Sequence, residues 1–166
     1  MSDNNRGVRE KRFVEAIDLL PTFLDSVESK VSRHRLEGQS LLPIIRGNKV
    51  LNWKESVFSE IDYSFNEARK LLKLGASDAR GYMLRTSKWK YVYFKGFPPQ
   101  LFDLENDPKE LNDLGKDPKY SKTRERLFRK LFEWISERQI RKTISKDVIA
   151  ERTGSSKKRG YLFGVW

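Results

Sequence analysis

The chain has 166 residues, a formal charge of +11, 37% hydrophobic and 34% charged residues, and no cysteine. That composition fits one domain of ordinary size and excludes disulfides, thiolate zinc sites and a cysteine nucleophile. Four Trp, six Tyr and ten Phe argue against disorder, because such side chains bury large areas when they order.

The charge is uneven. Residues 1–118 carry 20 Lys/Arg against 18 Asp/Glu, and residues 119–166 carry 14 against 5. The basic excess therefore belongs to the tail, which can serve nucleic acid or an acidic partner; a solvated helix face plus a chain end is the commoner source of such a pattern. The polar stretch Met1 to Arg12 has no apolar core of a signal peptide, and no apolar run approaches the roughly 20 residues that cross a bilayer. No membrane partner is expected, and the absence of cysteine makes the cytoplasm the expected location.

Along the chain, an extended lead-in to about residue 17 precedes a short helix to about 27. Asp18 would cap it, and Pro21 would sit in its first turn, where a missing N–H costs nothing. A polar loop ends at Gly38, and Ser40 to Gly47 reads as a tight helical turn closed by glycine. Residues 55–63, β-branched and aromatic, predict a strand; 65–74 predict a helix stopped by Gly75. A meander follows: a strand at 80–86, a turn at Ser87-Lys88, a strand at 89–94, a break at Gly96-Phe97-Pro98-Pro99, and a strand at 100–104. Asp117-Pro118 marks the start of the longest helix, about 119–139, with an apolar stripe at helical period. A short helix over 145–152, a basic loop over 155–160 and the uncharged end Tyr161 to Trp166 complete the chain. The fold class is α+β: an antiparallel sheet of about four strands packed against a long amphipathic C-terminal helix.

The most informative stretch is Leu101-Phe102-Asp103-Leu104-Glu105-Asn106-Asp107-Pro108-Lys109-Glu110-Leu111-Asn112-Asp113-Leu114. Chemically it is a strand end, a turn and an acidic loop leading to the long helix. It resembles a segment of the sulfatase family, within the alkaline phosphatase superfamily. Three more segments resemble that family in the same order: Ile17-Asp18-Leu19-Leu20-Pro21-Thr22, Glu37-Gly38-Gln39-Ser40-Leu41-Leu42-Pro43, and Met83-Leu84-Arg85-Thr86 with Trp89-Lys90-Tyr91. The strand Phe58 to Tyr63 and the Trp-terminated tail are most similar to the phosphonate monoester hydrolase branch. The resemblance implies the C-terminal portion of a hydrolase of sulfuric or phosphoric/phosphonic esters. It implies residues 1–50 at the edge of a large catalytic domain, residues 51–140 as the C-terminal subdomain, and 141–166 as a basic tail and apolar arm. Family members use a nucleophile generated within Cys-x-Pro-Ser-Arg beside a divalent cation held by Asp, Asn and His. Here there is no cysteine and no Pro-Ser-Arg or Pro-Thr-Arg string, and the one histidine, His34, does not follow an aspartate. No catalytic residue and no metal ligand is therefore assigned to this chain, and the expected partner is the catalytic domain or its separate polypeptide.

The residues that remain are candidates for a pocket rim or an interface. His34 lies among arginines, a poor setting for a metal ligand, and either faces a substrate anion or is a solvated loop residue. Glu60 and Asp62 share one strand face, as paired catalytic carboxylates can, though nothing else of a glycosidase accompanies them. Asp62 and the adjacent Tyr63 are taken as rim residues with His34. Asp103, Glu105 and Asp107 imitate a calcium loop but lack its glycine and its final glutamate. Tyr161, Phe163 and Trp166 form an apolar arm that, by resemblance, meets a neighbouring subunit of a homo-oligomer or the catalytic domain. The alternatives are a stand-alone interaction module and, on charge alone, a nucleic-acid-binding protein.

Overall fold

The computed structural model describes residue 7, residues 9–29 and 36–137, and residues 148, 151, 153 and 154. The chain divides into two compact units: Lys54–Arg138 is one, and the residues on either side of it form the other.

The Lys54–Arg138 unit is a four-stranded antiparallel meander in the order β1-β2-β3-β4, with β1 at Ser56–Asp62, β2 at Arg80–Thr86, β3 at Trp89–Phe94 and β4 at Gln100–Asp103. The register opposes Phe58 to Leu84, Leu84 to Tyr91 and Tyr91 to Leu101. These side chains therefore form one row across the sheet, since residues directly opposite share a face. The amphipathic helix α4 (Ser121–Glu137), entered through a 3-10 turn at Pro118–Tyr120, packs on β2 and β3. Its Leu127 and Leu131 join Leu84, Trp89, Tyr91 and Leu101 in the core. Asp117 opens the turn as the sequence predicts, its Oδ1 accepting from the Lys119 N–H at 2.8 Å.

The aromatic partners differ from a simple helix-on-β3 packing. Trp134 stacks on Phe58 of the edge strand, centroids 4.8 Å apart and the rings nearly parallel, while Trp89 meets Tyr120 edge-on at 5.7 Å. Through Trp134, the last turn of the helix thus reaches β1.

Between β1 and β2, α3 (Glu67–Leu71) is shorter than the predicted 65–74 helix. Asn66 caps it, its side chain accepting from the Ala68 N–H at 2.9 Å. The left-handed residue that ends it is Lys73, at φ 54, rather than Gly75. Arg69 makes this possible, donating to the Ser64 and Leu74 carbonyls at 2.6 and 3.1 Å.

In the other unit, a 3-10 turn at Ala16–Asp18 runs into α1 (Leu19–Ser26), and α2 (Leu42–Ile45) is closed by Gly47 at φ 76. Pro21 lies in the first turn of α1 as expected, but the Asp18 carboxylate does not cap that helix. Its Oδ2 instead accepts from the Glu15 N–H at 2.8 Å, forming a reciprocal capping box with Glu15 for the 3-10 turn. The predicted helix at 145–152 falls largely outside the described residues. Among the described residues, no helix is long and apolar enough to cross a membrane.

Candidate functional site

The four sequence motifs all build scaffold. In the first, Asp18 is fully buried, and its Oδ1 accepts from the Gln39 N–H at 2.9 Å, 21 residues on. Thr22 adds a second tie: its hydroxyl donates to the Asp18 carbonyl at 2.6 Å and accepts from the Leu41 N–H at 2.8 Å. Gly38 is required between them, because a Cβ there would lie 2.0 Å from the Ile17 carbonyl oxygen. The Asp-Leu-Leu-Pro-Thr and Gly-Gln-Ser-Leu-Leu-Pro segments are thus two halves of one hydrogen-bonded joint.

The hairpin motif is closed by Thr86, whose hydroxyl accepts from the Trp89 N–H at 2.9 Å. In the acidic motif, Asp103 accepts from the Glu105 and Asn106 N–H groups at 3.2 Å and from the Asn106 side chain at 2.9 Å. Burial pushes its carboxyl up, but the Asn106 bonds and nearby Lys88 outweigh that and hold it below the ordinary carboxylate range. Asp107 accepts from the Asn112 N–H at 2.8 Å. Asp113 accepts from the Leu101 and Gly115 N–H groups at 3.0 and 2.8 Å. Asp103, Asp107 and Asp113 are thus committed to backbone donors, while Glu105 pairs with Lys88 and Glu110 with Lys90. Among the described residues, no group of three or more His, Cys, Asp or Glu could hold a metal ion; a divalent cation does not fit them.

One cleft stands out, with a volume of about 510 Å3. Its floor is aromatic for a reason that begins at Gly81. The register sets Ile61, Gly81 and Phe94 abreast on three strands, and a Cβ at Gly81 would lie 2.6 Å from the Phe94 ring. Glycine therefore lets Phe94 lie across β2, where it meets Tyr63 edge-on at 6.0 Å. Phe97, Pro98, Pro99 and Gln100 form one side of the cleft, and Asp113 and Lys116 continue it. This side is fixed: Gly115 packs so tightly on Pro99 that a Cβ would lie 2.0 Å from its carbonyl oxygen, and the Leu114 N–H donates to the Leu101 carbonyl at 2.8 Å.

Of the predicted rim residues, Tyr63 lines this cleft, and its N–H donates to the Ala79 carbonyl at 2.9 Å. Asp62 ends β1 beside it and is exposed; its Oδ1 accepts from the Ser64 N–H at 2.9 Å, and Arg80 lies 3.9 Å away. Those bonds to Ser64, with Arg80 adding, hold its carboxyl low. Glu60, two residues earlier, is also exposed. His34, Tyr161, Phe163 and Trp166 lie outside the described residues. Sequence reasoning took Gly96-Phe97-Pro98-Pro99 only as a break. The pairing of an aromatic with two prolines between strands is the signal that could have marked a cleft wall.

A model of the family described as "N-sulphoglucosamine sulphohydrolase, C-terminal" matches residues 2–137. The chain is 30% identical over 122 residues to the multifunctional alkaline phosphatase superfamily protein PehA of Trinickia caryophylli, covering 72% of this chain and 24% of that protein. It is 31% identical over 143 residues to arylsulfatase K of Gallus gallus, covering 75% and 24%. Among solved structures, it superposes on the phosphonate monoester hydrolase of Agrobacterium radiobacter with a TM-score of 0.71 at 30% identity, covering 80% of this chain and 27% of that one. The chain spans about a quarter of the length of the relatives it matches.

Proposed function

Because the chain belongs to the N-sulphoglucosamine sulphohydrolase C-terminal family, among sulfatases and phosphonate monoester hydrolases, we infer that it is the non-catalytic C-terminal part of an enzyme hydrolysing sulfuric or phosphoric/phosphonic esters. One observation carries this reading: the motif carboxylates Asp18, Asp103, Asp107 and Asp113 are committed to backbone N–H groups. Such chemistry needs an activated nucleophile and a charge-neutralising cation; both would come from the remaining three-quarters of the enzyme. The contribution of this chain is then to complete the fold and shape the pocket rim, with His34, Asp62 and Tyr63 as its rim residues.

The surface around α1 supports the same partner. Val14, Ile17, Leu19, Leu20, Phe23 and Val27, in and beside α1, are 46–72% exposed, apolar surface that gains from being covered. The catalytic portion of the enzyme is the occupant this reading assigns to it. The complete enzyme is proposed to be a cytoplasmic homo-oligomer, with Tyr161, Phe163 and Trp166 bearing on a neighbouring subunit or on the catalytic portion.

The test is direct. The purified 166-residue chain, with and without divalent metal, is expected to hydrolyse no aryl sulfate, phosphate diester or phosphonate monoester above background. Metal-dependent turnover abolished by a single substitution within this chain would overturn the reading.

A further inference from the structure

We propose that two copies of this chain associate about a two-fold axis through the cleft face, the β1–β2 connection of each seated in the cleft of the other. Knob and hole lie side by side on one surface. Phe65 is 101% exposed and lies in sequence between Tyr63 and Asn66, both of which line the cleft. Leu71, 82% exposed, adjoins Leu72, which lines it too. A surface that carries a projecting aromatic beside an apolar cavity is complementary to itself, as a two-fold contact requires.

The cleft has room for the knob. Its volume of about 510 Å3 is on the scale that holds a small molecule, enough for a phenyl ring and a leucine side chain. Phe94, Phe97, Pro98 and Pro99 give it apolar walls, held by the close approaches at Gly81 and Gly115, so little ordering cost opposes entry. Area points the same way. Ile61, Leu72 and Phe97, 37–54% exposed, join Phe65 and Leu71 in exposing on the order of 500 Å2, at the roughly 150–250 Å2 a large side chain can bury. Two copies would together cover about 1,000 Å2, the size at which specific interfaces begin, before any polar rim is counted.

Charge decides which partner fits. The chain carries +11, yet residues 60–80 hold four acidic and four basic side chains, and Asp113 and Lys116 balance on the other side of the cleft. A neutral patch attracts neither a strongly acidic nor a strongly basic surface, and it does not repel its own copy. The association needs no catalytic portion, whose assigned surface at α1 belongs to the other unit of the chain, so the failure of either reading leaves the other standing.

Sedimentation velocity of the 166-residue chain at increasing concentration is the test, with a reversible shift from the mass of one chain to that of two expected. Phe65→Ser and Phe97→Asp each alter both copies, so each is expected to weaken the dimer at least about a hundredfold, tenfold for each lost contact. Both residues are exposed, so neither change threatens the fold, and an unchanged amide NMR pattern across the sheet verifies that. Phe23→Ser, on α1, should leave the dimer intact. Mixing the two cleft-face variants gives the sharper reading. Phe65 of the Phe97→Asp copy meets the intact cleft of the Phe65→Ser copy, so the mixture is expected to associate more tightly than either variant alone. A monomer at every concentration, wild-type association in both variants, dissociation by Phe23→Ser, or a mixture no tighter than its components would each refute the interface.

Discussion

Asp18 shows how much one side chain can decide. Its carboxylate bonds two backbone N–H groups 24 residues apart, Glu15 and Gln39, one through each oxygen. Removing it takes the partner from two part-buried donors, a loss of about 1 kcal/mol for each bond. Asp18→Ala is therefore expected to speed amide exchange at Gln39 and Leu41 by at least about tenfold while leaving the sheet amides unchanged. Equal protection in the variant would mean that the joint is held by other contacts. Tyr91 carries a residue-scale prediction of another kind. Burial, with neighbouring Tyr93 adding and Arg124 opposing, pushes its phenol from 10.0 to about 12. Above pH 10 the unfolded chain releases this proton while the folded one keeps it, so the unfolded state binds fewer protons and stability falls as pH rises. The loss should begin near pH 10 and be complete near pH 12 in denaturant titrations. Tyr91→Phe should flatten that part of the profile, and an unchanged slope would show that other groups cause it.

At the scale of elements, α4 and the sheet depend on one another. The helix offers a stripe in which Leu127 and Leu131 are buried while Phe128 and Phe132 remain 42% and 58% exposed. Leu131 is 1% exposed and belongs to the six-residue core, so Leu131→Ala should cost roughly 2–5 kcal/mol of unfolding free energy, as large-to-small core changes do. A change below about half a kcal/mol, the size of a surface substitution, would contradict the packing. The connections are as specific as the core. Thr86 closes the β2–β3 turn through the Trp89 N–H, and Asp113 fastens the strand end at Leu101 to the loop at Gly115. That loop carries the chain from β4 to α4 without regular structure, and its shape rests on side-chain carboxylates that replace a backbone ladder.

For the molecule as a whole, the two units differ in what they bury. The Lys54–Arg138 unit has a core of Leu84, Trp89, Tyr91, Leu101, Leu127 and Leu131. In the other, the buried positions of the first turns are Asp18, Pro21 and Thr22, while Phe23 and Val27 are 63% and 72% exposed. Its hydrogen bonds are made within the segment, while its exposed apolar side chains are left to the catalytic portion proposed as its partner. Hydrophobic burial is the main favourable term in folding, and this segment has little of its own. That asymmetry fits a chain spanning about a quarter of its relatives' length.

The sequence by itself determined the family, the α+β class and all four strands to within a residue, because alternation, turn residues and an Asp-Pro helix start act over short distances. It also marked Asp18, Thr22, Asp103 and Asp113 as members of motifs. What they do was decided only by tertiary structure: Asp18 reads locally as a helix cap, and its second bond goes to Gln39, a residue no local rule connects to it. The end of α3 at Lys73 likewise depends on Arg69 reaching two carbonyls, and Trp134 finds Phe58 on an edge strand far from it in sequence. The cleft was the least legible feature. Tyr63, Phe94, Phe97 and Lys116 are scattered over more than fifty residues, and it is strand register, with the room left at Gly81 and Gly115, that brings them to one wall.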